Sequence, residues 1–134
     1  MGYTHFWRCN NWADLDKHPN YQIVLDSMRI IINLTTIPLE VREDIHKYPI
    51  HFNGVDENSH ETFVFPPYNS FNFCKTRQKP YDIIVTACLT VAKHYFGDII
   101  EVSSDGYPYE WIKGVKLASS ILGIEFENPI ADES

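Results

Sequence analysis

The chain is poor in positive charge, in cysteine and in long apolar runs, and each shortage disfavours a class of function. Only 11 Lys and Arg residues stand against 18 Asp and Glu, for a formal net charge of -7. No nucleic acid polymer is expected as a partner, because such binding needs a broad basic face. The three cysteines form no CxxC pair, which indicates a reducing compartment. Without an apolar signal core or a membrane-length run, we expect a cytoplasmic protein and no membrane partner.

The composition is that of one globular domain. Hydrophobic residues make up 44% of the 134 residues and aromatic residues 14%, enough for a substantial core. We expect a single domain over residues 1–134, with a flexible tail over about 128–134. No cofactor is expected, and no metal, because no ligand spacing points to one. The sequence leaves the formation of a homo-oligomer open.

Apolar periodicity predicts the element order β-α-β-β-β-α-β-α. The predicted helices run from Tyr21 to about Leu34, from Pro80 to Gly97, and from Pro108 to Leu122. The predicted strands lie at residues 3–9, 48–54, 60–65, 71–76 and 98–102, with a turn at 66–70 joining the third and fourth. This order indicates an α+β fold: a mostly antiparallel sheet of four to five strands, with about three helices packed on one face.

Aromatic and polar residues alternate along the third and fourth predicted strands. His60 and Thr62 share one face of a strand, while Phe63 and Phe65 share the other. If the phenylalanines of both strands face the helices, polar residues of both strands gather on the opposite face: His60, Thr62, Asn72, Cys74 and Thr76. The alternative is a set of ordinary cross-strand polar pairs on a solvated face.

Two histidines are the predicted catalytic residues. His60-Glu61-Thr62 is similar to the His-x-Thr element of the two-histidine phosphoesterases, in which His acts as acid or base and Thr binds phosphate. Those enzymes need two such elements, and the chain offers no clear second one. His5 is the second acid or base in this hypothesis, since imidazole titrates near neutral pH. The alternative for His5 is a histidine packed between aromatic rings.

Two predicted helix starts carry residues that suit an anion. Lys75, Thr76 and Lys79 lead into the second helix, where free N–H groups and the helix dipole favour negative charge. Ser103 and Ser104 precede the third helix, and their hydroxyls can donate to phosphate oxygens. The alternative at both starts is simple helix capping.

Several aromatic residues are candidates for stacking on a nucleobase, although such residues more often belong to the core or its rim: Tyr3, Trp7, Tyr81, Tyr107 and Tyr109. The predicted ligand-binding set is Thr62, Lys75, Thr76, Lys79, Ser103, Ser104 and Tyr81. Cys74 would serve as a nucleophile only with a lowered pKa and a histidine partner, and the sequence indicates no such partner.

Blocks distributed over nearly the whole chain resemble a group of short hypothetical proteins from bacteria and bacteriophages. The blocks are Met1-Gly2-Tyr3-Thr4-His5-Phe6-Trp7, His60-Glu61-Thr62-Phe63, Phe71-Asn72-Phe73-Cys74-Lys75-Thr76, Lys79-Pro80-Tyr81-Asp82 and Val102-Ser103-Ser104-Asp105-Gly106. The group has no assigned activity. For a phage-encoded protein, the resemblance implies a counter-defence role in the host cytoplasm, acting on a nucleotide messenger.

These observations together predict a protein that binds a phosphate-bearing, nucleotide-like anionic small molecule. Lys75 and Lys79 would neutralise the phosphate, and Thr62, Thr76 and the serines would donate hydrogen bonds to it. Two outcomes stay open, metal-independent phosphoester hydrolysis and sequestration without turnover. The alternative function is a protein-binding inhibitor or a structural interaction protein that uses its acidic surface without small-molecule chemistry.

Overall fold

Three helices and six strands form the part of the chain that the computed structural model describes, which is residues 3–9, 12–42, 49–66 and 71–130. The helices are α1 (Tyr21–Leu34), α2 (Asp82–Phe96) and α3 (Ile112–Leu122). The strands are β1 (Thr4–Cys9), β2 (Glu40–Val41), β3 (Ile50–Asn53), β4 (Phe63–Phe65), β5 (Phe71–Lys75) and β6 (Ile100–Ser104). Most of the predicted turn at 66–70 and the end of the predicted flexible tail lie outside the described residues.

The predicted α+β class is confirmed, but the strands divide between two sheets. The first sheet has the order β5-β1-β6 and the second has the order β2-β3-β4, and every pairing is antiparallel. The expected single sheet of four to five strands is therefore two sheets of three. The first sheet brings together strands that are distant in the sequence, and it carries the site described below.

Helix α2 lies at the centre of the packing, as its almost continuous apolar surface predicts. It contacts α1, α3 and strand β6, and most of its residues are buried. Gly97 ends it with a φ of 60°, a backbone conformation that glycine adopts without steric cost. No helix in the described ranges is long and apolar enough to cross a membrane.

The two phenylalanine-rich strands do not place their aromatic side chains as predicted. Phe63 and Phe65 in β4 are buried, but in β5 Cys74 is buried while Phe73 is 50% exposed. The register explains the difference, because Cys74 lies directly opposite His5 and the His5 face of β1 points into the core. The shared polar face predicted for the two strands is therefore wrong.

Candidate functional site

A chain of hydrogen bonds crosses the first sheet at the point where it meets the start of α2. The Nδ1 atom of His5 lies 2.7 Å from Oγ of Ser104, and its Nε2 atom lies 2.5 Å from Oδ1 of Asp82. The hydroxyl of Thr76 donates to the same Asp82 oxygen at 2.6 Å. These four residues come from β1, the end of β6, the first turn of α2 and the loop that precedes α2.

Local structure places each residue of this hydrogen-bond network. In the first sheet, His5 pairs directly with Ser104 of β6, and directly paired residues on neighbouring strands share one face. The backbone N–H of Thr76 donates to the carbonyl of Tyr3, which extends the pairing of β1 beyond the end of β5. Asp82 follows Pro80 and Tyr81 in the first turn of α2, where a carboxylate is favoured by the helix dipole.

The donor and the acceptor of each hydrogen bond in this network can be assigned from simple rules. An ionised carboxylate only accepts hydrogen bonds, so Nε2 of His5 carries the proton that faces Asp82. The Nδ1 lone pair is then free to accept from the Ser104 hydroxyl. The Ser104 oxygen itself accepts the backbone N–H of Gly106 at 2.9 Å. A partly exposed serine hydroxyl is thereby directed at a basic nitrogen that a buried carboxylate orients.

Aromatic rings enclose His5 on two sides. Tyr3 and Trp111 meet the imidazole edge to face, with ring centroids 5.0 and 4.9 Å away. The alternative of a histidine packed against aromatic rings therefore describes His5 as well, and it coexists with the hydrogen-bond chain. Burial is the main cause that raises the pKa of Tyr3 well above its ordinary value, and the Asp82 carboxylate adds to it.

The ring of Trp111, which packs on His5, carries a buried indole nitrogen that has no hydrogen-bond partner among the described residues. Buried polar atoms are nearly always paired, so an unpaired one is a specific cost that calls for an explanation. A bound ligand or water in this corner would supply the missing partner.

The loop between β5 and α2 is held in an unfavourable backbone conformation. Arg77 and Gln78 have φ values of 52° and 56°, the left-handed region that residues with a Cβ rarely adopt. Gln78 also ties the loop to the turn before α3, because its amide donates to Glu110 at 2.5 Å. Backbone strain of this kind concentrates at functional sites, and here it adjoins Thr76.

Three predicted site residues meet in this network, namely His5, Thr76 and Ser104. The other predicted catalytic residue, His60, does not join them. His60 is exposed, and its backbone pairs with the side chain of Asn53. The Thr62 hydroxyl accepts from the same amide. Both therefore belong to the end of β3 in the second sheet, and no described hydrogen bond links them to His5.

The remaining predicted residues are scattered around the network. Ser103 is exposed on the face of β6 opposite Ser104. Lys75 lies on the outer face of β5 and is tied through its backbone to Glu61. Tyr81 is fully buried, and its hydroxyl donates to a backbone carbonyl, so it belongs to the core. Lys79 is partly exposed just before α2, within the loop that supplies Thr76.

The two predicted anion seats are already occupied by groups of the chain itself. At the start of α2, the N–H groups of Asp82 and Ile84 donate to carbonyls three residues earlier, and the Asp82 carboxylate takes the positive end of the helix. Before α3, a Glu110 oxygen accepts the N–H of Tyr107 at 2.8 Å. Side-chain capping therefore describes the start before α3, whereas backbone carbonyls satisfy the N–H groups at the start of α2. A phosphate at either start would have to rely on side chains.

The residue that sequence reasoning missed is Asp82. Its place in the first turn of a helix already suits a carboxylate, and it lies 77 positions from His5 in the sequence. The one signal for a site role is its position in the helix start that follows the alternating strand β5. Trp111 gives no signal of its own, because a large aromatic residue at an apolar helix position is explained by the core.

Two further features of the described residues are a separate cleft and the lack of a metal-binding cluster. A cleft of about 490 Å³ lies at the opposite end of β1 and contains no member of the network. It is lined by Cys9, Asp14, Leu15, Lys17, His18, Asp98 and Ile99. Within the described ranges, no group of three or more His, Cys, Asp or Glu side chains is arranged to hold a metal ion.

Comparison with protein-family models, with curated proteins and with solved structures finds no match to this chain. The candidate site therefore rests on the geometry of its own residues.

Proposed function

We propose that the protein hydrolyses a phosphate-bearing, nucleotide-like small molecule, with Ser104 as nucleophile and His5 as general base and acid. The observation that carries this proposal is the hydrogen-bond chain from Ser104 through His5 to Asp82. A serine hydroxyl is a weak nucleophile until an adjacent base removes its proton, and the base works best when a third group orients it. Here Ser104 would be the nucleophile, His5 the base and Asp82 the group that orients the base.

The reaction would run in two steps. The Ser104 proton passes to Nδ1 of His5 as the serine oxygen bonds to phosphorus, and the leaving-group oxygen departs with that proton. Water then gives a proton to His5 while its oxygen bonds to phosphorus, and Ser104 departs and regains the proton. Asp82 stabilises the imidazolium in both steps. The residues supply every proton transfer, so the proposal needs no metal.

Cationic side chains near the network support an anionic substrate. Arg77 is exposed and Lys79 partly exposed in the loop that supplies Thr76, and both can pair with phosphate oxygens. These two side chains would bind the phosphate oxygens, because the helix N–H groups already donate to groups of the protein itself. A ligand bound in this corner would also offer an acceptor to the Trp111 indole nitrogen.

Replacing Ser104 tests the proposal most directly. We expect Ser104→Ala to lower turnover of the preferred nucleotide about a thousandfold or more, because removing the nucleophile of such a chain has effects of this size. The measurement is mass-spectrometric turnover of a panel of linear and cyclic nucleotides, with p-nitrophenyl acetate included as a carboxyl ester. The matched control is Ser103→Ala, which changes the neighbouring serine on the opposite face and should leave turnover unaltered.

The outcomes separate the hypotheses. Equal activity of Ser104→Ala and the wild-type protein would eliminate the nucleophile, while loss in His60→Ala alone would restore the His-x-Thr hypothesis. Binding of nucleotides without turnover would indicate sequestration. Turnover of the acetate ester but of no nucleotide would keep the mechanism and reject the substrate class.

A second candidate is a protein-binding function, which the open face of the first sheet favours. Phe73 is 50% exposed there, and Arg8 and Glu101 are exposed on the same face as directly paired residues. This candidate predicts no thermal shift with any nucleotide of the panel. It also predicts a protein complex that Phe73→Asp disrupts and Ser104→Ala does not. The counter-defence role stays a prediction under either candidate.

A further inference from the structure

The structure divides the aromatic residues that the sequence offered for base stacking into two groups. Trp7 and Tyr81 are buried in the core, and Tyr3 is partly buried against His5. In contrast, Tyr107 is 65% exposed and Tyr109 is 68% exposed. Only the last two present a large aromatic surface that a ligand can cover.

The two exposed tyrosines form an ordered pair. Their rings are almost parallel, with an interplanar angle of 6° and centroids 5.8 Å apart. Tyr107 directly precedes the turn Pro108–Trp111, which contains Tyr109, and hydrogen bonds fix the backbone at both ends of this segment. Glu110 accepts the N–H of Tyr107 at 2.8 Å, and the Asn128 amide donates to the Pro108 carbonyl at 2.8 Å. The ring surfaces are therefore held in place without being buried.

The pair adjoins the proposed nucleophile. Tyr107 follows Gly106, whose N–H donates to the Ser104 oxygen. Glu110 of the same turn accepts from Gln78, which follows Arg77 directly in the cationic loop. One hydrogen-bonded unit thus joins an aromatic surface, a serine hydroxyl and a phosphate-pairing side chain, which are the three parts that a nucleoside phosphate requires.

We propose that Tyr107 and Tyr109 are the base-stacking platform of the site, and that the substrate is a nucleoside phosphate and not a simple phosphoester. This inference rests on the proposed function and assigns its substrate class. Stacking uses the flat face of a base, which every base has, so the platform selects for the presence of a base more than for its identity.

The test measures binding on the Ser104→Ala protein, so that turnover does not interfere. The probe is the fluorescent nucleotide 1,N6-ethenoadenosine 5′-monophosphate, and ribose 5-phosphate is the base-free competitor. We expect Tyr107→Leu and Tyr109→Leu each to raise the dissociation constant of the nucleotide about five- to a hundredfold, the usual effect of losing one aromatic stacking partner. The affinity for ribose 5-phosphate should stay unchanged.

Two controls separate stacking from a general loss of structure. Tyr107→Phe keeps the ring and should retain nucleotide affinity. Phe73→Leu removes an exposed aromatic ring from the opposite face of the sheet and should have no effect. Wild-type affinity in the Tyr107→Leu, Tyr109→Leu double variant would overturn the inference.

Failure of this inference and failure of the proposed function give different results. Equal binding of the nucleotide and of ribose 5-phosphate would overturn the platform and leave the hydrolytic chain intact. Nucleotide binding that depends on the tyrosines, in a wild-type protein that turns over nothing, would support the platform and overturn hydrolysis. Absence of binding by both probes would overturn the platform, and it would overturn hydrolysis as well if the wild-type protein also turned over no nucleotide of the panel.

Discussion

At the scale of single residues, His5 shows how one side chain can be structural and reactive at once. It is fully buried, and every polar atom of its ring has a partner. The partners differ in kind, because Asp82 is a buried carboxylate whereas Ser104 is partly exposed. A proton accepted by His5 at the Ser104 side is therefore stabilised from within the core, and the group that delivers it can be reached from solvent.

Cys74 and Cys88 are the opposite case, since burial makes their thiols unreactive. Burial raises the pKa of the Cys74 thiol well above its ordinary value, and the nearby Glu61 carboxylate adds to the effect. Burial alone raises the pKa of the Cys88 thiol. The thiolate is the reactive form, so Cys74 is not a nucleophile in the folded protein.

We expect alkaline pH to destabilise the protein through these thiols. Their pKa is near 9.0 when unperturbed and higher in the folded state, so the unfolded chain loses protons first. The stabilising contribution is complete below about pH 9 and is lost as pH rises above it. Urea unfolding between pH 7 and pH 10 measures this loss.

The control is the isosteric variant Cys88→Ser, which has no thiol to ionise. Its stability should fall less steeply with pH than that of the wild-type protein. Parallel curves for the two proteins would contradict the assignment. As a second readout, iodoacetamide should label Cys74 and Cys88 slowly in buffer and rapidly in concentrated urea.

At the scale of elements, the helices were predicted better than the strands. The helix Tyr21–Leu34 was predicted to its ends, because a 3.6-residue apolar period and Pro38 are local signals. In a strand, alternation separates two faces without indicating which one is buried. In β5 Cys74 faces the core and Phe73 faces outward, because the pairing with β1 places Cys74 opposite the buried His5.

The packing of α2 against α3 depends on the absence of one side chain. A Cβ atom added to Gly114 of α3 would lie 2.0 Å from Oγ1 of Thr86 in α2, far inside the contact distance. We expect Gly114→Ala to lower the free energy of unfolding by about 1–3 kcal/mol, the usual cost of overpacking. Urea denaturation followed by circular dichroism measures the change.

A double-mutant cycle shows whether this contact is the cause. In a Thr86→Ala background, which removes the oxygen at 2.0 Å but keeps the Cβ atom at 2.8 Å, Gly114→Ala should cost less without becoming neutral. Ser120→Ala, an exposed substitution in the same helix, should change stability by less than about 0.5 kcal/mol. Equal costs of Gly114→Ala in both backgrounds would refute the packing explanation.

At the scale of the whole molecule, the proposed site also holds separate elements together. The His5–Asp82 pair joins the central strand of the first sheet to the central helix, and the two residues are 77 positions apart in the sequence. Removing the Asp82 carboxylate would leave two buried donors, the His5 N–H and the Thr76 hydroxyl, without their acceptor, and each buried donor left unsatisfied costs about 1–3 kcal/mol.

We therefore expect Asp82→Ala to lower the free energy of unfolding by about 2–6 kcal/mol. Asp82→Asn should cost less, because its amide oxygen can still accept from His5 and Thr76. Asp26→Ala breaks an exposed ion pair with Arg29 at 3.8 Å and should cost less than about 1 kcal/mol. Similar costs for Asp82→Ala and Asp26→Ala in urea denaturation would show that the network does not stabilise the fold.

The α+β class, the three helices, the glycines that end α2 and α3, and the buried character of α2 follow from the amino-acid sequence alone, because each depends on local periodicity and backbone preference. Residues His5, Thr76 and Ser104 could be selected from the same information, since their chemical types suit a site. The tertiary structure alone decided that these three meet Asp82 and that His60 does not. Strand pairing and the docking of a helix start on a sheet edge are long-range events, and no local pattern specifies which distant side chains they bring within hydrogen-bonding distance.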